Sequence, residues 1–79
     1  MIQPIIKIII ADGEVYFLNA VQKITKTEYI LGSKQSSFRI LLNGTFLTIV
    51  RPTVKIDDTR KKLIEFIHNN EKSFDLKNY

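Results

Sequence analysis

The chain has 79 residues, enough for one domain with a thin core. It holds no Cys and a single His, which excludes disulfides, thiolate metal sites and multi-histidine sites and leaves packing or association to supply stability. The net charge of +4, from 12 Lys and Arg against 8 Asp and Glu, favours anionic partners only slightly and is ordinary for a well-dispersed surface.

The run from Ile5 to Ala11 is β-branched and apolar apart from Lys7, which suits a pleated strand. It breaks at Asp12-Gly13 and carries no basic leader or small-residue cleavage site, so it does not read as a signal peptide. No stretch reaches the ~18 apolar residues of a membrane span. A soluble, cytoplasmic protein that does not engage membranes is the expectation.

Asp12-Gly13 between strand-like runs predicts a two-residue type I′ hairpin, because both turn positions need positive φ. That turn sets Ile10 opposite Val15, Ile9 opposite Tyr16 and Ile8 opposite Phe17. Ile8, Ile10, Val15 and Phe17 then share one face, and Lys7, Ile9, Tyr16 and Leu18 the other. Both faces are substantially apolar. Either a tail or loop covers the second one, or it meets another subunit or a partner.

A third strand is predicted from about Lys23 to Leu31, with room for a bulge, followed by a polar loop at Gly32–Ser37. Phe38–Leu42, Asn43-Gly44 and Thr45–Val50 form the second I′ hairpin. Its core face carries Phe38, Ile40, Leu42, Leu47 and Ile49; its mixed face carries Arg39, Leu41, Phe46 and Thr48. Pro52 ends the strand. A helix follows, capped at Asp57 or Asp58, or a turn earlier at Thr53, and ends near Asn69-Asn70. Its apolar stripe is Leu63, Phe66 and Ile67 with Ile56 and Thr59. The segment 71–79 is polar except for Phe74, Leu76 and Tyr79, and is either a flexible tail or docks through those three. The predicted fold is a single α+β domain: a small antiparallel β-meander of four to five strands with two tight hairpins, packed by one C-terminal helix.

The run Ile8-Ile9-Ile10-Ala11-Asp12-Gly13-Glu14-Val15-Tyr16-Phe17-Leu18-Asn19 resembles the opening of FlbD-type proteins, small polypeptides found among flagellar genes. Ile24 to Glu28, Leu41-Leu42-Asn43-Gly44, Val50 and the helix from about Asp57 continue the likeness, over roughly residues 6 to 68. The resemblance implies a β-meander plus helix. The chain departs from it at Arg51-Pro52-Thr53-Val54-Lys55-Ile56 and in the longer loop at Gly32–Ser37.

Catalysis would need a nucleophile with its base, a carboxylate pair or a metal site. His68 reads as a surface residue near the helix C-terminus, and Asp57-Asp58 as capping residues that point apart. A non-enzymatic chain with no cofactor and no small-molecule substrate is therefore expected. The surplus on the sheet's second face is apolar, and Ile9, Tyr16, Leu18, Leu41 and Phe46 are its candidate protein-contact residues. A protein-binding or regulatory module acting as a homo-oligomer is the leading reading. One alternative is nucleic-acid binding through Arg51, Lys55, Arg60, Lys61 and Lys62 at the strand-helix junction. Another is a phage or mobile-element protein that disables a host factor.

Overall fold

The computed structural model of the chain describes residues 7–79, so the expected strand start at Ile5 lies outside the described residues. Strands β1 (Ile8–Ala11) and β2 (Glu14–Phe17) are antiparallel in the predicted register, with Ile10 opposite Val15 and Ile8 opposite Phe17. Asp12 and Gly13 between them take φ of 52° and 76°, as a type I′ turn requires. A 3-10 turn at Leu18–Ala20 leads into β3 (Val21–Ile24).

The predicted third strand is real but broken. β3 and the two-residue β4 (Glu28–Tyr29) both pair with the same long strand, β5 (Gln35–Leu42), and a register shift between Val21 and Lys23 supplies a bulge. Between Ile30 and Ser33 the chain reverses in a turn closed by a 3.1 Å backbone bond, with Gly32 at φ 78°. β5 turns at Asn43-Gly44 into β6 (Thr45–Pro52), with Leu41 opposite Phe46 and Phe38 opposite Ile49, again as predicted.

Helix α1 (Thr53–His68) follows β6 without a linker. Of the two predicted starts it takes the earlier, at Thr53, a turn before Asp57 and Asp58. The Thr53 amide donates to the Lys34 carbonyl at 2.7 Å, and the Ser36 and Thr53 hydroxyls lie 2.8 Å apart, so partners on β5 and its preceding loop fix the helix start. Asp57 is thereby free to accept hydrogen bonds from Thr27 and from the Tyr29 hydroxyl. The inward face of β5 and β6 presents Phe38, Ile40, Leu42 and Ile49 to Ile56, Leu63 and Phe66 of α1. Each such side chain contributes about 1.5–3 kcal/mol on burial.

The segment after α1 docks. β7 (Ser73–Asp75) pairs parallel with β1, and a 3-10 turn at Leu76–Asn78 follows. Phe74 and Leu76 are 3 % and 2 % exposed. The Phe74 ring stacks on Tyr79 at 4.5 Å and leans on Phe66 at 5.4 Å. The strands thus form two ladders, β2-β1-β7 and a second one in which β5 lies between β6 and the pair β3 and β4.

Of the two alternatives for the hairpin's second face, cover by a tail or contact with a partner, the structure has the first, and it corrects the choice of Ile9 as a contact residue. Ile9 is fully buried, and Tyr16 and Leu18 pack against the core beside it. The reason is β7: its register sets Phe74 next to Ile9 on the same side of the sheet, and that side faces the helix. Lys7 shares the side and clips the helix end, donating to the carbonyls of Phe66 (2.6 Å) and Asn69 while its ammonium lies 4.8 Å from the Phe66 ring centre. Ile8, Ile10, Val15 and Phe17 therefore point outward.

Truncating Leu76 to Ala should lower unfolding free energy by about 2–5 kcal/mol in a denaturant titration, because it empties a filled core position. A flexible tail would give no loss. Lys7→Met keeps the aliphatic stem but removes the cation from the helix C-terminus, and should cost about 1 kcal/mol by the same measurement.

Candidate interaction surface

The outward side of the β2-β1-β7 ladder carries Val15 and Phe17 on β2, each 56 % exposed, and the half-buried Ile8 and Ile10 on β1. Ser73 and Asp75 of β7 complete it on the far flank. Bonding across the hairpin alternates, as the 2.9 Å bond from the Leu18 amide to the Lys7 carbonyl shows. Ile8–Phe17 and Ile10–Val15 are therefore the non-bonded pairs, whose side chains approach most closely. The result is one packed apolar patch of four large residues with no charge inside it. Beside β2 a depression of about 250 Å³ is lined by Val15, Tyr16, Phe17, Asn19, Ala20 and Asn43.

Tyr16 has its ring against the core and its hydroxyl outside, donating to Glu14 Oε2 at 2.5 Å. That bond to a carboxylate, with some desolvation and the nearby negative charge, raises the phenol above its ordinary pKa of 10.0. Of the five predicted contact residues, Leu41 and Phe46 do lie on an outward face, but on the other ladder. There the Arg39 guanidinium sits 4.5 Å from the Phe46 ring centre and 3.9 Å from Glu28. The structure does not bring Ile9, Tyr16, Leu18, Leu41 and Phe46 onto one surface. The residues that do form a patch, Ile8, Ile10, Val15 and Phe17, share a face in the predicted hairpin, but not the face from which the contact residues were drawn.

A second exposed apolar group surrounds the start of α1. Leu31 at the tip of the Ile30–Ser33 turn and Val54 in the first helical turn are almost wholly exposed, with Tyr29 and Ile30 about half so. Tyr29 is fastened there by its 2.6 Å bond to Asp57 Oδ2. This bond, then desolvation and the negative charge of Asp57, raise its pKa above 10.0. A cleft of about 370 Å³ separates the Asp12-Gly13 turn from Thr48, Ile49 and Arg51 of β6.

The predicted basic cluster divides. Arg51 donates to the carbonyls of Leu76 (2.8 Å), Val50 (2.6 Å) and Tyr79, and Arg60 to the carbonyl of Thr25 (2.8 Å). These two guanidiniums hold the chain's own backbone. Lys55, Lys61 and Lys62 are exposed. Lys55 and Lys62 share a side of the helix with Asp58 and Glu65, in alternating sign at i, i+3, i+7 and i+10. His68 is exposed in the last helical turn. Among the described residues no three His, Cys, Asp or Glu side chains gather as a metal site, and no helix is long and apolar enough to cross a membrane. Comparison of the chain with protein-family models, with curated proteins and with solved structures returns no match.

Because the carboxylate of Asp57 accepts the Tyr29 proton, Asp57→Asn should return the Tyr29 ionisation toward 10 in a phenolate-absorbance titration. The raised folded pKa means the bond supports the fold below pH 10, and its support fades as pH rises through the Tyr29 ionisation. An unchanged titration in the variant would contradict the assignment.

Proposed function

We propose that the chain is a small non-enzymatic protein-binding module whose contact surface is the outward face of its N-terminal hairpin. The observation that carries this reading is the placement of Ile8, Ile10, Val15 and Phe17 together in water. Solvated sheet faces normally alternate toward polar residues, and clustered apolar ones mark interfaces. The patch sits on a hairpin anchored on its other side by Ile9 and Phe74, so a partner would meet a preformed surface and little ordering cost would oppose binding. Phe46 with Arg39 offers a smaller second contact on the other ladder. A nucleic-acid reading keeps only Lys55, Lys61 and Lys62, two of them interleaved with acids, and is not the one adopted. A cytoplasmic setting fits the reading, and so does a role as an inhibitor of another protein.

The double variant Val15→Ser, Phe17→Ser separates binding from folding. Its unfolding free energy should stay within about 1 kcal/mol of the parent, because both side chains face outward. The immobilised parent should retain a defined set of proteins from a cell lysate, and the double variant should lose that set. Val54→Ser, a comparably exposed change at the helix start, should keep it. Retention of the same set by the double variant would move the contact surface elsewhere.

A further inference from the structure

We propose that the end of the molecule formed by the Ile30–Ser33 turn and the start of α1 is a docking tip for an anionic lipid surface, separate from the hairpin face. Leu31 and Val54 are 102 % and 92 % exposed, so neither side chain leans on the rest of the fold. Tyr29 and Ile30 stand beside them, 60 % and 53 % exposed. All four lie at one end of the second ladder. There Tyr29 pairs with Ser36, Gln35 pairs with Pro52, and the Thr53 amide bond to the Lys34 carbonyl ties the turn to the first helical residue.

A folded partner protein needs a surface against which it can pack closely. Leu31 stands clear of its own chain, and side chains that project singly suit a fluid acyl boundary, which has no shape to match. The backbone of the tip fits that boundary as well. The Ser33 amide donates to the Ile30 carbonyl at 3.1 Å, the Gln35 amide to the Ser33 hydroxyl at 3.1 Å, and the Thr53 amide to the Lys34 carbonyl at 2.7 Å. These groups would leave water already paired. The Tyr29 hydroxyl is paired too, on Asp57, so its ring can lie at the interface without an orphaned polar end.

Charge selects the kind of lipid. Residues 30–35 and 51–56 include Lys34, Arg51 and Lys55 and no acid. Arg51 turns away to the carbonyls of Leu76 and Tyr79. Lys34 and Lys55 are exposed, and among the described residues neither has a carboxylate partner. Of the acids on the flanking elements, Glu28 faces Arg39, Asp57 accepts from Thr27 and Tyr29, and Asp58 lies a turn further along the helix. The first turn of α1 holds no acid, so the positive end of its dipole adds to the two lysines. Two free cations beside an apolar tip complement anionic headgroups over an acyl layer. The sequence-based expectation of no membrane contact rests on the lack of a spanning segment, and a tip that lies on the surface needs none.

Co-sedimentation with vesicles tests this. The parent chain should pellet with vesicles of phosphatidylcholine mixed with phosphatidylglycerol at low salt, and stay in the supernatant with phosphatidylcholine alone. Leu31→Ser, Val54→Ser should abolish pelleting, and Lys34→Gln, Lys55→Gln should weaken it about fivefold per lysine. All four side chains are exposed, so the denaturant transition should stay in place in both variants. The emission of Leu31→Trp should shift to the blue with the anionic vesicles and not with inorganic phosphate, which separates a lipid surface from a free anion. Val15→Ser, Phe17→Ser should pellet like the parent, so this result and the protein-binding reading of the hairpin stand or fall apart. No pelleting with the anionic vesicles overturns the proposal. Pelleting that survives Leu31→Ser, Val54→Ser, or that is lost in the hairpin variant, overturns the tip. Equal pelleting with phosphatidylcholine alone overturns the role of the lysines.

Discussion

The parallel pairing of β1 with β7 is the constraint on which the rest of the structure depends. It puts Phe74 beside Ile9, and these two with Leu76 complete the apolar side that the helix alone would leave open. Once that side is inward, side-chain alternation leaves no choice for its neighbours: Lys7 lands at the helix C-terminus, Tyr16 packs with only its hydroxyl outside, and Ile8, Ile10, Val15 and Phe17 turn to water. The exposed patch is thus a by-product of how the core is closed.

The cationic side chains support the same closure. Lys7 grips the last carbonyls of α1, Arg51 holds the 3-10 turn after β7, and Arg60 holds the carbonyl of Thr25 in the gap between β3 and β4. Each ties down a point where the regular ladder or helix leaves acceptors without partners, and charge-assisted bonds of this kind are stronger than neutral ones. In a domain too small for a deep core, these contacts fasten the ends of segments that packing cannot reach.

How far the sequence carries is visible element by element. The two x-Gly turns and their registers follow from local chemistry, since only positive-φ residues fit them, and the structure has both. The core face of the second hairpin was legible because its other face carries Arg39 and Thr48. The first hairpin gave no such contrast: both of its faces are apolar, and the choice between them is made by Phe74, far along the chain in a segment whose composition is otherwise polar. For the helix start, local chemistry leaves two options, Asp57 or Asp58 and a start a turn earlier at Thr53, and contacts from elsewhere in the chain decide for the earlier one. Asp57 and Asp58 are good caps in isolation, but the Lys34 carbonyl and the Ser36 hydroxyl meet Thr53 first. The candidate surface depends on that choice of facing, which is why Ile8, Ile10, Val15 and Phe17 turn outward where Ile9, Tyr16 and Leu18 were expected.

The pairing of β1 and β7 also sets the order of events in folding. The contact between Lys7 and Phe66 spans 59 positions, and the β1-β7 ladder reaches further still. Such non-local closure is slow relative to the formation of either hairpin. During synthesis β1 and β2 emerge before β7 and wait, with both sides of the hairpin wet, until β7 follows. The hairpin most exposed in the finished molecule is also the one left uncovered longest while it is being made.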